Sequence, residues 1–325
     1  MTAALLDIRN LKVDFQSPEG VIQAVDDVSY TITPGETVAV VGESGSGKTV
    51  SALAVMGLLP SPPAQVSGQI LFEAEDLTRL GDEALRQIRG HKIGMIFQEP
   101  MTSLNPLLTV GTQICEGMKL HLGLTPKQAR VRAIELLGLV GISEPEGRLK
   151  QYPHHFSGGM RQRVMIAIAL ACEPKLIIAD EPTTALDVTI QAQILELMKD
   201  LTRRLGVSLI LITHNLSIVA RYAMRVNVMY AGRIVESGTT VDVFGEPRHP
   251  YTLGLLSSVP RLDKARDERL VPIDGQPPDL SRLGKGCAYL PRCTYAFGDC
   301  ASIKPPLNKV LPDHSSACLR ADQLG

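Results

Sequence analysis

The chain has 325 residues and a mass of 35.1 kDa, and its 33 basic and 34 acidic side chains give a formal charge of −1. Hydrophobic residues make up 44% of the sequence, and the mean hydropathy is +0.09. This composition predicts a soluble globular protein with one large domain and an appendage, or with two domains. It excludes collagen-like and disordered chains, and the near-zero charge gives no general attraction to nucleic acid or anionic lipid.

The sequence contains no obvious targeting or membrane-spanning segment. Its first residues lack a basic region followed by an unbroken apolar run, so we expect no secretory signal. No stretch approaches the roughly 18 uncharged apolar residues that a membrane-spanning helix requires. The expected location is therefore the cytosol, with any membrane association made through partner proteins.

The predicted elements begin with β-strands and continue as alternating strands and helices. Two alternating segments, LLDIRNLKVDF and VIQAVDDVSYTI, indicate an N-terminal antiparallel β subdomain. The apolar run TVAVV is followed by a Gly-rich turn and the helical pattern KTVSALAVMGLL. Further strands are expected at GQILF, KIGMIFQ, KLIIAD, VSLILIT and NVMYA. This order predicts an α/β core with a mainly parallel sheet.

Two other regions interrupt or follow this core. Between about residues 100 and 172, the segments TPKQARVRAIELLGLVG and GGMRQRVMIAIALA have apolar spacing near 3.6, which predicts an inserted helical subdomain. Beyond about residue 245 the periodicity fades into sequence rich in Pro, Arg and Gly. We therefore divide the chain into a nucleotide-binding domain over residues 1–245 and a small irregular C-terminal module over residues 246–325.

A phosphate-binding loop is the strongest motif in the sequence. It fits the pattern G-x-x-x-x-G-K-[ST] between a strand and a helix, and it reads Gly42-Glu43-Ser44-Gly45-Ser46-Gly47-Lys48-Thr49. Glycines allow backbone N–H groups to turn inward and form an anion nest at a helix N-terminus. Lys48 is predicted to reach the β- and γ-phosphates, and Thr49 offers a hydroxyl to Mg²⁺.

Polar residues follow three other predicted strands. Asp180 and Glu181 end the run LIIADE, where the carboxyl end of a parallel strand lies beside the phosphate loop. Asp180 can bind Mg²⁺, and Glu181 can polarise the attacking water as a general base. Gln98 and His214 each follow an apolar strand and are candidates to reach the γ-phosphate or the nucleophilic water.

A Ser-Gly-Gly segment precedes the long helical pattern near residue 160, and it reads Ser157-Gly158-Gly159-Met160-Arg161-Gln162. Such a helix start offers free N–H groups that suit a phosphate, although a plain helix cap has the same sequence. In combination with the other motifs, it resembles the signature motif of the ABC ATPase family. The resemblance covers nearly the whole chain.

The resemblance assigns a role to each motif. In chain order these are an adenine-stacking Phe15, the Walker A loop Gly42–Thr49, the Q-loop Gln98, the signature Ser157–Gln162, the Walker B end at Asp180 and Glu181, the D-loop Ala185-Leu186-Asp187 and the switch His214. It also implies Mg²⁺ held through Thr49, Gln98 and Asp180. ATP bound here is expected to be covered by the signature of a second ATPase subunit in a head-to-tail dimer.

Three positions depart from the commoner family pattern. The signature has Phe156 and Met160 where Leu and Gln are commoner in the family. His214 is followed by Asn215 where Asp is common, and Phe15 replaces the commoner Tyr. None of these changes removes a phosphate ligand or the candidate base. ATP hydrolysis is therefore still expected.

The C-terminal segment narrows the resemblance to ATP-binding subunits of dipeptide and oligopeptide importers. Three segments are similar to the corresponding parts of those subunits: the run from Arg248 to Thr252, the four cysteines that follow it, and the segment from Gln98 to Pro106. The resemblance implies a second homologous ATPase, two transmembrane permeases and an extracytoplasmic peptide-binding protein, with this chain on the cytoplasmic face of the membrane. Nickel and glutathione importers share much of the pattern, so those cargoes remain alternatives.

Four of the six cysteines lie close together in sequence, at Cys287, Cys293, Cys300 and Cys318. In a reducing compartment such a group indicates a metal site before it indicates disulfides. Its spacings of five, six and seventeen are looser than the usual zinc knuckles. The importer resemblance favours a [4Fe–4S] cluster, while zinc and ligand-free thiols remain open. Cys115 and Cys172 are expected to be small apolar residues in helical surroundings.

Two other functional classes compete with transport. One is a soluble ABC ATPase that acts on nucleic acid or the ribosome, but the chain shows neither a basic patch nor a coiled-coil insertion. The other is a regulatory or redox-sensing module without catalysis, which the joint presence of Lys48, Glu181 and His214 disfavours. We therefore expect an ATPase with no nucleic-acid partner.

Overall fold

The computed structural model describes residues 3–18, 20–184, 186–258 and 272–324. Within these ranges the strands form two sheets. The N-terminal antiparallel sheet contains β1 (Leu6–Ser17), β2 (Gly20–Ile32), β4 (Ala64–Phe72) and β5 (Glu75–Asp76). The central sheet contains β3 (Thr37–Val41), β6 (Ile93–Ile96), β7 (Leu176–Asp180), β8 (Ser208–Thr213), β9 (Arg225–Tyr230), β10 (Arg233–Thr239), β11 (Asn308–Leu311) and β12 (His314–Ser316).

Along the chain, the described helices lie between the strands of the central sheet. The α-helices are α1 (Lys48–Val55), α2 (Asp82–Ile88), α3 (Pro100–Ser103), α4 (Val110–His121), α5 (Pro126–Leu139), α6 (Pro145–Arg148), α7 (Gly158–Leu170), α8 (Val188–Leu205), α9 (Leu216–Tyr222), α10 (Thr240–Gly245) and α11 (Pro250–Ser257). Short 3₁₀ turns occur at Leu77–Arg79, Pro153–His155, Leu280–Arg282, Leu290–Arg292, Gly298–Ala301 and Ala321–Gln323. No helix in the described ranges is long and apolar enough to cross a membrane.

The central sheet is parallel where the phosphate loop begins and antiparallel at its other edge. Its strand order is β11-β12-β10-β9-β3-β8-β7-β6. Strands β9, β3, β8, β7 and β6 pair in parallel, and β10, β12 and β11 extend the sheet in antiparallel pairings. The parallel core and the N-terminal antiparallel sheet confirm the predicted fold class.

The helical insertion lies between β6 and β7, where the sequence predicted it. Helix α5 begins with a capping box in which the Thr125 hydroxyl and the Gln128 side chain satisfy each other's backbone N–H groups, and Pro126 occupies its first turn. Its buried residues pack with those of α4 and α7 in one apolar cluster that includes Ile114 and Val164. The same cluster includes Ile177 of β7 and Leu209 of β8, so the subdomain shares one continuous core with the central sheet.

One helix is shorter than the sequence predicted. The pattern KTVSALAVMGLL extends to Leu59, but α1 ends at Val55. Gly57 has a φ of +60°, which is the left-handed conformation that ends many helices. The chain then leaves the helix axis toward β4.

The C-terminal segment is joined to the central sheet. Most of its described residues form short turns, as predicted, but β12 pairs with β10 and thereby extends the sheet. Tyr251 and Tyr289 are buried in an apolar cluster with residues of β9 and β10. The division of the chain at residues 245 and 246 stays a prediction, since this packing is continuous with the sheet.

A buried hydrogen bond between two side chains connects β12 to β10. The imidazole of His314 and the carboxylate of Glu236 are both fully buried, with His314 Nε2 2.6 Å from Glu236 Oε1. The same carboxylate oxygen accepts the backbone N–H of Arg248 at the start of the C-terminal segment. Removing either side chain takes this hydrogen bond from a polar group that is shielded from water, which is costly.

We predict that His314→Ala lowers the free energy of unfolding by roughly 2–4 kcal/mol, because Glu236 loses its buried partner. Urea unfolding followed by fluorescence or circular dichroism measures this change. Lys309→Ala, an exposed position on the neighbouring strand β11, serves as the control and should leave stability nearly unchanged. Equal stability of the two variants would contradict the assigned role of the pair.

Candidate ATP site and cysteine-lined cavity

The phosphate loop connects β3 to α1, and its glycines are required by close backbone contacts. Gly42 has a φ of +155°, and a Cβ there would lie 2.2 Å from the carbonyl oxygen of Met229. Gly47 has a φ of +98°, and a Cβ there would lie 2.5 Å from the carbonyl oxygen of Ala24. The loop therefore tolerates no side chain at either position.

Two side chains of the loop occupy the positions expected for phosphate and metal ligands. The ammonium of Lys48 is buried against the loop and donates to the carbonyls of Gly42 and Glu43, both at 2.8 Å. The hydroxyl of Thr49 donates to Asp180 Oδ1 at 3.1 Å, which brings two of the three predicted Mg²⁺ ligands together. Carboxylate and hydroxyl oxygens are suitable ligands for Mg²⁺.

Burial and neighbouring charges shift the pKa values in this site. Burial lowers the pKa of Lys48, against the charges of Glu181, Asp180 and Glu43, which raise it. Burial is also the main cause that raises the pKa of Asp180, opposed by the hydrogen bond from Thr49. A bound cation would favour the ionised form of Asp180.

Glu181 contacts the other two predicted catalytic residues, Gln98 and His214. Its Oε2 accepts from the Thr184 hydroxyl at 2.8 Å and from Gln98 Nε2 at 3.3 Å, and its Oε1 lies 3.2 Å from Nδ1 of His214. Burial acts to raise the pKa of Glu181, but hydrogen bonds from Thr184 and His214 and the charges of His214 and Lys48 outweigh it and lower the pKa. The carboxylate is thus ionised at neutral pH and able to orient a water molecule.

The backbone of Glu181 is held in an unusual conformation. Its φ is +44°, in the left-handed region that few residues with a side chain occupy, and its N–H donates to the Ile212 carbonyl at 2.9 Å. Residues in such conformations concentrate at functional sites, where neighbouring structure holds them. The turn after β7 therefore directs the carboxylate toward Gln98 and His214.

The signature and the D-loop form a separate surface. Ser157 caps α7 by accepting the Met160 N–H, and Asp187 caps α8 by accepting the Ile190 N–H. Gly159 packs so close to Ile190 that a Cβ would approach its side chain to 2.7 Å. Ser157 and Asp187 are both exposed. These two motifs therefore lie side by side on the surface of the molecule.

Three other predicted residues stand apart from this arrangement. Phe15 is half-buried on β1 and packs against the apolar cluster of the N-terminal sheet. Gln162 is 1% exposed, so its contact with a partner's nucleotide stays a prediction. Ala185 of the D-loop lies outside the described residues.

The four C-terminal cysteines line one small cavity. Cys287, Cys293, Cys300 and Cys318 surround a space of about 20 Å³, together with aromatic and aliphatic side chains. Burial raises the pKa of three of these thiols, and that of Cys318 reaches about 11. Within the described ranges, no group of three or more His, Cys, Asp or Glu side chains is arranged to hold a metal ion. The predicted cluster is therefore not supported by this geometry, although the donor set is gathered in one place.

Sequence reasoning missed two residues that contact the phosphate loop from the C-terminal segment. The Tyr251 hydroxyl accepts the Glu43 N–H at 2.8 Å, and the Arg292 guanidinium forms two hydrogen bonds with the Glu43 carboxylate. The sequence did contain one indication of such a contact, which is the acidic Glu43 within an anion-binding loop. An acidic side chain there is favourable only when a cation lies beside it.

Comparisons with known proteins agree with this architecture. The sequence matches the family described as ABC transporter over residues 25–184 and the family described as oligopeptide/dipeptide transporter, C-terminal region, over residues 235–300. Among solved structures, the dimeric ABC transporter cassette MJ0796 has a TM-score of 0.64 at 29% identity, covering 72% of this chain and 98% of that one. The cassette cbiO1 from Clostridium perfringens has a TM-score of 0.62 at 31% identity, covering 75% and 91%.

The chain belongs to the ABC transporter family and is an ABC-type ATPase that uses ATP with Mg²⁺. It is similar over nearly its whole length to two proteins of Bacillus subtilis. The oligopeptide transport ATP-binding protein OppD is 53% identical over 95% of this chain and 87% of that protein. The dipeptide transport ATP-binding protein DppD is 53% identical over 98% of this chain and 95% of that protein.

We predict that Glu181→Gln binds ATP as the wild type does but hydrolyses it at least about 100-fold more slowly, because the amide cannot accept a proton from water. The measurements are phosphate release and nucleotide binding by the protein purified with its associated subunits. Glu173→Gln is the control, since Glu173 is an exposed acid that pairs with Arg132 on the surface. Turnover like the wild type in Glu181→Gln would refute the assignment of the base.

Proposed function

We propose that this ATPase powers the import of dipeptides or oligopeptides across the cytoplasmic membrane as part of a multi-subunit transporter. The observation that carries the proposal is the C-terminal match to an oligopeptide/dipeptide transporter region, which adds to the ATPase match. The two relatives described above, both named for peptide transport, cover at least 95% of this chain. The similarity thus includes the segment that distinguishes this group from other ATPases.

Within that function, we propose that ATP is bound between two ATPase subunits. Lys48 would hold the β- and γ-phosphates, and the half-exposed ring of Phe15 would stack on adenine. Ser157 and Gly159 would cover the nucleotide of a second, homologous subunit, with Asp187 beside them. The exposed positions of Ser157 and Asp187 and the dimeric state of the similar cassette support this arrangement. A second set of donors completes the electrostatic cage around the transferred phosphoryl group.

The hydrolytic step follows from the contacts of Glu181. Its ionised carboxylate would accept a hydrogen bond from the attacking water and direct that water at the γ-phosphate. His214, 3.2 Å from the carboxylate, would orient both groups, and Gln98 would sense whether the γ-phosphate and Mg²⁺ are in place. Mg²⁺, held through Thr49 and Asp180, would neutralise phosphate charge.

An apolar surface beside Gln98 is the proposed docking site for a permease. Phe97, Met101, Leu107 and Leu108 are all exposed, with Leu107 82% and Met101 62% accessible. Exposed apolar side chains grouped within a dozen residues are typical of protein interfaces. Because Gln98 lies in the same segment and contacts Glu181, movement of a permease there would reach the catalytic carboxylate. The chain would thereby be held on the cytoplasmic face of the membrane.

We predict that Leu107→Glu abolishes co-purification with two permeases, because a charge in an apolar interface is strongly unfavourable. The tagged full-length chain is recovered from gently solubilised membranes, and its bound proteins are identified. Leu120→Glu is a matched control, since Leu120 is 70% exposed on α4 outside that surface. Permeases recovered equally with both variants would refute the docking site.

The cargo itself is tested by uptake in cells that carry Glu181→Gln in place of the wild-type chain. Loss of labelled dipeptide or oligopeptide uptake supports the proposal. Loss of nickel or glutathione uptake with normal peptide uptake would overturn the peptide assignment. Recovery of the chain on ribosomes or nucleic acid without permeases would overturn transport altogether.

We also propose that the four cysteines bind a [4Fe–4S] cluster. Four thiols around one cavity form the donor set of such clusters, which are ligated through separate irons and do not require all thiols to meet at one ion. When bound, the group would crosslink four parts of a segment rich in short turns. The raised pKa values mean that thiols such as Cys318 would release protons on ligation.

We predict about four irons and four sulfides per chain in anaerobically purified protein, with absorption near 400 nm that Cys293→Ser removes. Cys115→Ser is the control, because Cys115 lies in α4 away from the cavity. One zinc per chain, or four free thiols with no metal, would refute the cluster.

A further inference from the structure

A pair of hydrogen bonds connects the C-terminal segment to the phosphate loop. Arg292 ends the 3₁₀ turn Leu290–Arg292 and directly precedes Cys293. Its two terminal nitrogens lie 2.6 and 3.0 Å from the two carboxylate oxygens of Glu43. The Arg292 side chain is only 4% exposed, and Glu43 is the second residue of the loop. This is the fork-to-carboxylate geometry that arginine, unlike lysine, provides.

Every polar group of Glu43 has a partner. Its N–H donates to the Tyr251 hydroxyl, and its carbonyl accepts from Lys48, both at 2.8 Å. Its carboxylate is held by Arg292. Two of these three partners therefore come from beyond residue 245, and the third is the lysine that contacts phosphate.

Arg292 is itself held in place from both sides. Its Nε donates to the Asp274 carbonyl at 2.9 Å, and its guanidinium lies 5.9 Å from the centre of the Tyr230 ring. Its position is thus set by the C-terminal segment and by β9 of the central sheet. The guanidinium is a fixed partner for Glu43, unlike a mobile surface arginine.

A carboxylate at Glu43 is unfavourable for ATP unless its charge is neutralised. The Glu43 charge is among those that raise the pKa of the Lys48 ammonium. The same charge would therefore act on a phosphate bound beside Lys48. An unpaired negative charge there would repel the polyphosphate of ATP. The Arg292 guanidinium removes that repulsion and fixes the loop residue that carries it.

We propose that Arg292 is a positioning residue for ATP binding, which orients and neutralises Glu43 so that the C-terminal segment sets the nucleotide affinity of the phosphate loop. Arg292 acts through Glu43 and does not touch the nucleotide. The inference rests on the proposed assignment of residues 42–49 as the ATP site. It is independent of the cargo and of what the cysteines bind.

The test is the affinity of the full-length chain for a fluorescent ATP analogue, mant-ATP, with Mg²⁺. Arg292→Met should raise the dissociation constant by about five- to tenfold, since residues in direct contact couple at this level. Arg292→Lys, which keeps the charge but loses the fork, should raise it by about two- to threefold. Glu43→Gln alone removes the charge that Arg292 neutralises, and its dissociation constant is the reference for the double variant described next.

The decisive variant is the double substitution of Glu43→Gln with Arg292→Met. If Arg292 acts by neutralising Glu43, Arg292→Met has no further effect once the carboxylate is gone, and the double variant binds within about twofold of Glu43→Gln alone. A purely structural role for Arg292 would leave the double variant as weak as Arg292→Met alone. That result, or unchanged affinity in Arg292→Met, would overturn the inference.

Two controls separate the possible failures. Arg225→Met breaks a comparable pair, with Arg225 3.1 Å from Glu36 at the opposite, amino-terminal edge of the sheet, and should leave affinity unchanged. Lys48→Ala should abolish binding, and if it does not, the ATP-site assignment itself fails. Thermal unfolding of each variant confirms that it is folded before its affinity is compared.

Discussion

The parallel pairing of β3, β7 and β8 is the constraint on which the site depends. The register places Val41 opposite Thr213, and Asp180 opposite Ile212, so the three strands end at one edge of the sheet. Each predicted motif lies at the end of one of these strands. The phosphate loop follows β3, the two predicted Walker B acids lie at the end of β7, and the predicted switch histidine follows β8. A slip of one residue would turn the Walker B carboxylate away from Thr49, since side chains alternate between the two faces of a strand.

Glu181 links this edge to the apolar surface where a permease is proposed to bind. Its hydrogen bonds reach Gln98, which borders the exposed apolar segment, and its contact with His214 reaches the loop after β8. The signature and D-loop lie on a different exposed surface and make no such contact within the described residues. In the proposed head-to-tail dimer, an isolated chain would hold only half of a hydrolytic site, and a second subunit would supply the other half.

Much of this architecture could be predicted from local sequence. The apolar runs TVAVV and LIIAD gave strands because buried parallel strands read as continuous apolar segments, and the phosphate loop has a spacing that its chemistry dictates. The end of α1 was missed because Gly57 was read as part of the helical pattern. Periodicity alone does not reveal a left-handed glycine.

The contacts between distant segments could not be predicted in this way. Glu43 and Arg292 are 249 positions apart, and no spacing rule connects an acid in a loop to an arginine in a turn-rich segment. The sequence of that segment also gave no indication of β12, a strand of three residues that pairs with β10. The four cysteines line one cavity, but within the described residues no three of them are arranged to hold a metal ion, so the group that they bind stays a prediction.

The central claim is that ATP and Mg²⁺ occupy the carboxyl edge of the sheet and are covered by the signature of a second subunit. A structure of the assembled complex carrying Glu181→Gln, determined with Mg²⁺ and ATP, tests it most directly. The account predicts phosphates against Lys48, a metal ion at Thr49 and Asp180, and the partner's signature over the γ-phosphate. Nucleotide bound elsewhere, or a phosphate loop left open to solvent with ATP present, would contradict it.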